Sequence, residues 1–516
     1  MKKVVAIVLL LSFLALGVAG GLSYVLLADD DEDSAPTRVE PREDSGARTG
    51  APEGLERFYD QRLTWEECDD HQCATLEVPL DYAAPQGRTI ELKLLRALAT
   101  DGRPEKGSLV VNPGGPGAAG TEYAALSGRA FTPAVTAAYD VVGFDPRGTG
   151  ASAPVDCLSD EELDTYLAAD PVPDTPEEVA AARSTGRDFG TGCVEKSGKL
   201  ASHVSTTEAA RDMDVLRAAL GQEELHYLGA SYGTKLGATY VELFPQRAGR
   251  VVLDGAMDPT ISNVDLNLGQ AVGFETALTA YVQNCLDTSG TCFLGDSVEA
   301  GKQRIADLLD QVDAKPLPTN DPDRPLTVGG AFYGIITPLY ARESWTALTM
   351  GLRAAFGGNG AALQAMADLY ASRGVDGYSD NSLEANYVIN CLDDPASSTP
   401  EEIPALVKRF SAEAPTFGPV LAWSTLGCGG FTPRSTEKPL TLRGEGAAPL
   451  LVIGTTRDPA TPMAWATALA SQLESAVLVT RDGDGHTGYN VGNDCVDGAV
   501  EDLLLKGRAP EADITC

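Results

Sequence analysis

The run Leu225-His226-Tyr227-Leu228-Gly229-Ala230-Ser231-Tyr232-Gly233-Thr234 constrains this chain more than any other stretch. A short apolar and aromatic segment ends in Gly-x-Ser-x-Gly, and Lys235 to Leu243 suits a helix. Strand, tight turn, helix is the context in which a serine is lifted out on a strained turn with its hydroxyl free to attack. Glycines at 229 and 233 fit such a turn because bulk at either position would clash with its neighbours. The pentapeptide also arises by chance in a chain with 54 glycines. Its meaning therefore depends on partners elsewhere.

Length and charge narrow the classes. The chain has 516 residues, 43% hydrophobic and 22% charged, enough for a large core and two domains. Its 74 acidic and 39 basic residues give a formal net charge of −35. Such a surface repels nucleic acid and anionic lipid and argues against DNA or RNA as a partner. Acidity spread along a well-mixed sequence otherwise serves solubility.

Met1-Lys2-Lys3 precedes an uncharged stretch, Val4 to Ala28, closed by Asp29-Asp30-Asp31-Glu32-Asp33. A helix over it is long enough to cross a bilayer core of about 30 Å. The lysines hold the N-terminus inside and send the rest out. Residues 1–28 thus read as a signal-anchor helix. A cleavable signal peptide is the rival, since Gly17-Val18-Ala19 offers small residues for cleavage. Membrane contact is expected only through this segment, and the remainder is expected outside the cell or in its envelope. Residues 29–57, rich in Asp, Glu, Pro, Gly and Arg, read as a disordered acidic tether.

Ten cysteines fit export. The sequence leaves their connectivity open. Nearest neighbours pair as Cys68/Cys73, Cys157/Cys193, Cys285/Cys292, Cys391/Cys428 and Cys495/Cys516, each bracketing one local excursion. A metal site is the alternative, and a poor one: only Cys68 and Cys73 enclose a histidine, and no second tight pair lies nearby.

Strands alternate with helices, which indicates an α/β fold with a mostly parallel sheet. Eight strands are expected: Ala74–Pro79, Thr89–Leu98, Ser108–Asn112, Tyr139–Phe144, Leu225–Gly229, Arg250–Asp254, Leu450–Gly454 and Ala476–Thr480, the first two as an antiparallel hairpin. A capping box, Ser205-Thr206-Thr207-Glu208, starts a helix before the Ser231 strand. The alternation stops between Asp254 and Leu450, where helical patterns dominate. That interval is too long for a loop. It reads as a helical cap, residues 256–445, inserted between two parts of the sheet domain, 58–255 and 446–516, and covering its carboxyl edge. A separate domain elsewhere on the surface is the alternative.

A serine hydroxyl attacks only when a base takes its proton and an acid orients that base. In α/β-hydrolases these follow in the order Ser, Asp or Glu, His. The chain has four histidines. His71 lies between close cysteines before the sheet, His203 precedes the capping box, and His226 is inside the Ser231 strand. His486 remains, in a glycine-rich loop after the last strand. Asp458 follows the preceding strand; Asp482 and Asp484 are rivals but sit in the histidine's own loop. Donors for a developing oxyanion are expected from the Tyr232 N–H and from Asn112-Pro113-Gly114-Gly115-Pro116-Gly117, with Gly115 the N–H and Gly114 permitting close approach.

Asn112-Pro113-Gly114-Gly115-Pro116-Gly117, Asp145-Pro146-Arg147-Gly148-Thr149-Gly150-Ala151-Ser152, Gly229-Ala230-Ser231-Tyr232-Gly233 and Asp458-Pro459-Ala460-Thr461-Pro462 together resemble the secreted tripeptidyl aminopeptidases. Those are relatives of the prolyl iminopeptidases within the α/β-hydrolases. The resemblance runs from about Trp65 to Cys516. It implies Ser231, Asp458 and His486 as a triad, peptide bonds as the target, a helical cap, and no metal or organic cofactor. The shorter iminopeptidases carry His where Pro113 stands, which argues for products longer than one proline. Two other readings stand beside it: a carboxylesterase or lipase using the same machinery, and a surface-binding protein that kept the fold. A cap that closes one end of a groove should supply a carboxylate for a substrate's ammonium group. Asp393, beside Cys391, is the candidate, with Glu122 as the alternative.

Overall fold

The computed structural model describes residues 43–44 and 50–516, save 103, 289, 438 and 439. The expected signal-anchor, 1–28, lies outside the described residues. Among those described, no helix is long and apolar enough to cross a membrane.

All eight expected strands form, and they lie in one ten-stranded sheet. In chain order its strands are β1 (Glu66–Cys68), β2 (His71–Pro79), β3 (Thr89–Ala97), β4 (Ser108–Asn112), β5 (Asp140–Phe144), β6 (Leu225–Ala230), β7 (Ala248–Asp254), β8 (Leu450–Arg457), β9 (Ala476–Asp484) and β10 (Ile514–Thr515). Their spatial order is β10-β9-β8-β7-β6-β4-β5-β3-β2-β1. From β5 to β10 every pairing is parallel; β3, β2 and β1 add antiparallel neighbours. The two strands beyond the expected eight are short pieces at opposite edges. Each is tied by a disulfide rather than marked by an apolar run, Cys68–Cys73 at one edge and Cys495–Cys516 at the other.

Central strands read as continuous apolar runs because both faces are covered. Tyr227 and Val452 face one core, beneath α4 (Thr206–Ala219) and α5 (Tyr232–Leu243). Leu228, Leu451 and Ile453 face the other, beneath Val496, Val500 and Leu503 of the helix Asp494–Lys506. The capping box forms as expected, with the Ser205 side chain accepting the Glu208 N–H.

The cap, from α6 (Asn263–Thr288) to the helix Gly418–Ser424, has its own core, including Phe274, Ile305, Ile335, Leu352 and Phe410. Three boundaries differ from those drawn on the sequence. First, the stretch counted as tether does not stay loose to residue 57. Glu43–Asp44 pairs with Leu63–Thr64. Leu55, Phe58 and Tyr59 are buried, and the Tyr59 hydroxyl donates to Asp214 at 2.6 Å. Second, α2 (Asp160–Ala168) belongs with the cap although it precedes Ser231 in the chain. Asp164 takes Arg373 in a bidentate pair at 2.6 and 2.7 Å. A Cβ on Gly329 would meet the Ala169 carbonyl at 2.4 Å, so cap backbone rests directly on this helix end. Third, helix α11 (Ser382–Asp393) lies inside the expected cap segment but packs on the sheet domain through Ala385, Val388, Ile389 and Leu392.

All five nearest-neighbour cysteine pairs are bonded. Cys391–Cys428 fixes the end of α11, the seam between the two cores. Cys68 and Cys73 are therefore not free thiolates for a metal.

Candidate active site

Ser231 stands between β6 and α5 with φ 57° and ψ −125°. A non-glycine residue there carries strain on the order of 1–3 kcal/mol, which the surroundings must enforce. They do so by close packing. A Cβ on Gly229 would lie 2.3 Å from the Gly233 carbonyl, and one on Gly233 would lie 2.8 Å from the Asn112 carbonyl. The Ser231 N–H donates to the Asp254 carbonyl at 2.8 Å, pinning the turn to β7.

His486 follows the end of β9, and its N–H donates to the Tyr340 carbonyl of the cap at 2.7 Å. Its Nδ1 lies 2.9 Å from both carboxylate oxygens of Asp458. Asp458 is 2% exposed and accepts N–H groups from Ala460 at 2.9 Å, Thr461 at 2.8 Å and Thr487 at 3.2 Å. Together with the His486 ring, these three N–H groups give the buried carboxylate four hydrogen-bond partners. Burial alone would disfavour a charged His486 ring. The Asp458 charge and hydrogen bond, with Asp254 behind, outweigh it and hold the imidazole pKa above its usual 6.5. This leaves Nε2 as the edge facing away from the acid. His486 and Ser231 line one cavity of about 330 Å³.

The rival acids are turned elsewhere. Asp482 accepts Arg457 at 2.9 Å and Thr456 at 2.8 Å, and Asp484 accepts Arg457 at 2.5 Å and Arg342 at 3.1 Å. Two of the other histidines are absorbed too. His203 Nδ1 meets Glu208 at 2.9 Å. His226 accepts the Arg250 N–H at 3.1 Å, and burial, with Arg250, pushes its pKa down to about 4.

The Gly-Gly-Pro-Gly loop closes over the serine. Gly114, Gly115 and Gly117 all have φ above 100°. A Cβ on Gly114 would lie 2.6 Å from the Ala230 carbonyl, 2.8 Å from Ser231 Cβ and 3.0 Å from the Tyr232 nitrogen. The loop backbone thus sits against the first turn of α5, whose N–H groups have no intrahelical partner. Asn112 Oδ1 fixes the loop by accepting the Gly114 N–H at 3.0 Å. The Asp145-Pro146-Arg147 motif braces the same region from below. Asp145 takes Thr121 N–H and hydroxyl at 3.0 and 2.7 Å. The fully buried Arg147 pairs with Asp212 through two contacts of 2.7 Å.

Aromatic rings dominate the cavity walls: Tyr166, Phe189, Tyr333, Tyr340, Tyr370 and Tyr387. Glu122 and Asp380 add carboxylates. Burial, then Asp380 and Asp145, push the Glu122 carboxyl up. Asp380 takes the Ser382 N–H at 2.9 Å, and among the described residues neither acid has an ion-pair partner. The sequence did not point to Asp380. Its only signal is a loop acid ahead of α11, and its nearness to Glu122 is a tertiary fact.

Asp393 is a correction. It does not line this cavity but a depression on the far side of α11. There it pairs with Lys235 at 2.7 Å and accepts the Thr206 N–H at 2.9 Å and the Thr206 hydroxyl. Thr206 Oγ1 in turn meets the Tyr232 hydroxyl at 2.7 Å. An acid already bound to a lysine and a helix N-terminus cannot greet a substrate ammonium. Asp393→Ala is expected to lower unfolding stability by about 1–3 kcal/mol, measured by urea titration, while leaving KM for peptides unchanged.

Residues 414–516 match the family described as TAP-like protein. Serine protease Hip1 of Mycobacterium tuberculosis is 37% identical over 456 residues, 86% of this chain and 87% of that protein. Carboxylesterase B of the same organism is 35% identical over 515 residues, 96% of this chain and 97% of the relative. Tripeptidyl aminopeptidase of Streptomyces lividans is 32% identical over 480 residues, 88% of this chain and 86% of the relative. With a mostly parallel sheet, a serine on a strained strand-to-helix turn and likeness across nearly the whole of each relative, the chain belongs to the TAP-like α/β-hydrolases, a family of serine hydrolases related to the tripeptidyl aminopeptidases.

Proposed function

We propose that the protein is an exported serine peptidase that releases short peptides from a free N-terminus, with Ser231 as nucleophile, His486 as general base and Asp458 as orienting acid. His486 Nε2 takes the Ser231 proton as Oγ attacks the scissile carbonyl. The N–H groups of Gly115 and Tyr232 receive the oxyanion. The imidazolium then protonates the leaving amine, and water repeats the sequence on the acyl-enzyme. Asp458, held by three backbone donors, keeps Nδ1 protonated and supports the imidazolium. Five disulfides support export.

The observation that carries an N-terminal mode of action is the pair Glu122 and Asp380 in the serine's own cavity, without an ion-pair partner among the described residues. An ammonium group would relieve their mutual repulsion and their burial. Arg129 lines the same cavity, with its carbonyl accepting from Asn490 at 2.9 Å, and among the described residues its guanidinium forms no ion pair with either acid. The test compares a tripeptide anilide with its N-acetylated form. Acetylation should lower kcat/KM by about 10²-fold or more, and Glu122→Gln should narrow that gap. Equal values for the two substrates would eliminate ammonium recognition.

The likeness to carboxylesterase B supports a second reading, ester hydrolysis with the same serine. A panel of acyl esters run beside the peptide anilides separates the two.

A further inference from the structure

Asp254 ends β7 as a buried carboxylate in the wall of the catalytic cavity, and no step above uses it. Its two polar ends hold different partners. The main-chain carbonyl accepts the Ser231 N–H at 2.8 Å. The carboxylate accepts the Gly488 N–H at 2.8 Å and the Tyr489 N–H at 3.0 Å, immediately beyond His486. One residue therefore spans from the serine turn to the histidine loop. A Cβ on the adjoining Gly255 would lie 3.2 Å from His486 Cε1, which shows how closely this corner backs the ring.

The groups that face the carboxylate come from three directions. His486 and Asp458 act on it from the histidine and acid loops. The Tyr123 phenol faces it from the helix Gly120–Ala125. Arg481 of β9 reaches the same loop but turns its guanidinium to the carbonyls of Asp484 at 3.0 Å and Thr487 at 3.5 Å. Two main-chain N–H groups thus stabilise the Asp254 charge in place of a cationic side chain among the described residues. Burial pushes its carboxyl up to about 6 even so, against those two bonds and the pull of His486.

We propose that Asp254 is a positioning residue for the proton transfer, fixing the Ser231 turn and the His486 loop relative to one another and placing a second negative charge behind the imidazolium. The ionised form does this, because only the carboxylate offers both oxygens as full acceptors to Gly488 and Tyr489. Protonation replaces one acceptor by a hydroxyl, loosens the loop and removes the charge. The inference rests on the assignment of Ser231 and His486 as nucleophile and base.

The experiment is a pH series of steady-state kinetics on a tripeptide anilide with the full-length wild type, Asp254→Asn and Ser231→Ala. Asp254→Asn should lower kcat by about 10²-fold, the scale of a small misplacement of reacting groups, with KM little changed. Its remaining kcat/KM should show an acid limb displaced to lower pH, since the imidazole loses one nearby negative charge. A variant with wild-type kcat and an unmoved limb would overturn the proposal. Should Asp254→Asn not accumulate as folded protein, the wild-type enzyme decides. A two-proton acid limb supports a requirement for both ionised Asp254 and neutral His486, and a one-proton limb overturns it. Activity surviving in Ser231→Ala would instead remove the underlying assignment, whatever Asp254 does.

Discussion

Ser231→Ala is expected to reduce kcat by about 10⁴-fold or more while the protein folds normally. The side chain stands at a turn facing the cavity, and among the described residues its hydroxyl makes no hydrogen bond; the turn is held by the Ser231 main chain. Alanine is also no worse than serine at φ 57°. Loss of activity with an unchanged urea midpoint would therefore report chemistry rather than structure. A purified variant that kept most of its activity would remove Ser231 from the mechanism.

Asp458→Asn should cost about as much, near 10⁴-fold in kcat, for a different reason. The amide keeps the shape but can present its NH₂ to His486 Nδ1, which would select the wrong tautomer. The pH dependence gives a second readout with a defined sign. In the wild type the His486 pKa is raised above 6.5, the Asp458 charge outweighing burial. Only neutral imidazole can accept the serine proton, so kcat/KM should fall as pH drops through a value above 6.5. In Asp458→Asn that limb should move to lower pH. Stability follows the opposite sense. A histidine whose folded pKa is raised contributes stability that is full below 6.5 and is lost as pH rises through the folded pKa. The gap in thermal stability between wild type and Asp458→Asn should therefore widen below pH 6.5 and narrow at pH 9. A constant gap would show that the His486–Asp458 pair does not titrate as the geometry requires.

The cap is joined to the chemistry more intimately than an inserted domain need be. The His486 N–H rests on the Tyr340 carbonyl, and α11 divides the catalytic cavity from the depression that holds Asp393. Asp393 binds Lys235 and Thr206, and Thr206 meets the hydroxyl of Tyr232, the residue after Ser231.

What the sequence determined by itself was local. The Ser231 turn, the eight principal strands and the capping box at Ser205 are written in neighbouring residues, because each depends on backbone conformation or period; the cysteine spacing suggested nearest-neighbour pairs but left their connectivity to the fold. Ser231, Asp458 and His486 could be named as candidates from the sequence, since the ends of the expected strands can be counted and no other histidine follows one of them. Tertiary structure alone decided which side of a helix a residue faces and what distant chain it meets. Asp393 and Asp380 flank the same helix, yet one is bound to Lys235 and the other lies with Glu122 in the cavity. Helix α2 joined the cap because its Asp164 finds Arg373 across space, not along the chain. Asp254 looked like the end of a strand. Its carboxylate became part of the site only where the loop after β9 folds back to bring the Gly488 and Tyr489 N–H groups within reach, a contact between segments that no local pattern encodes.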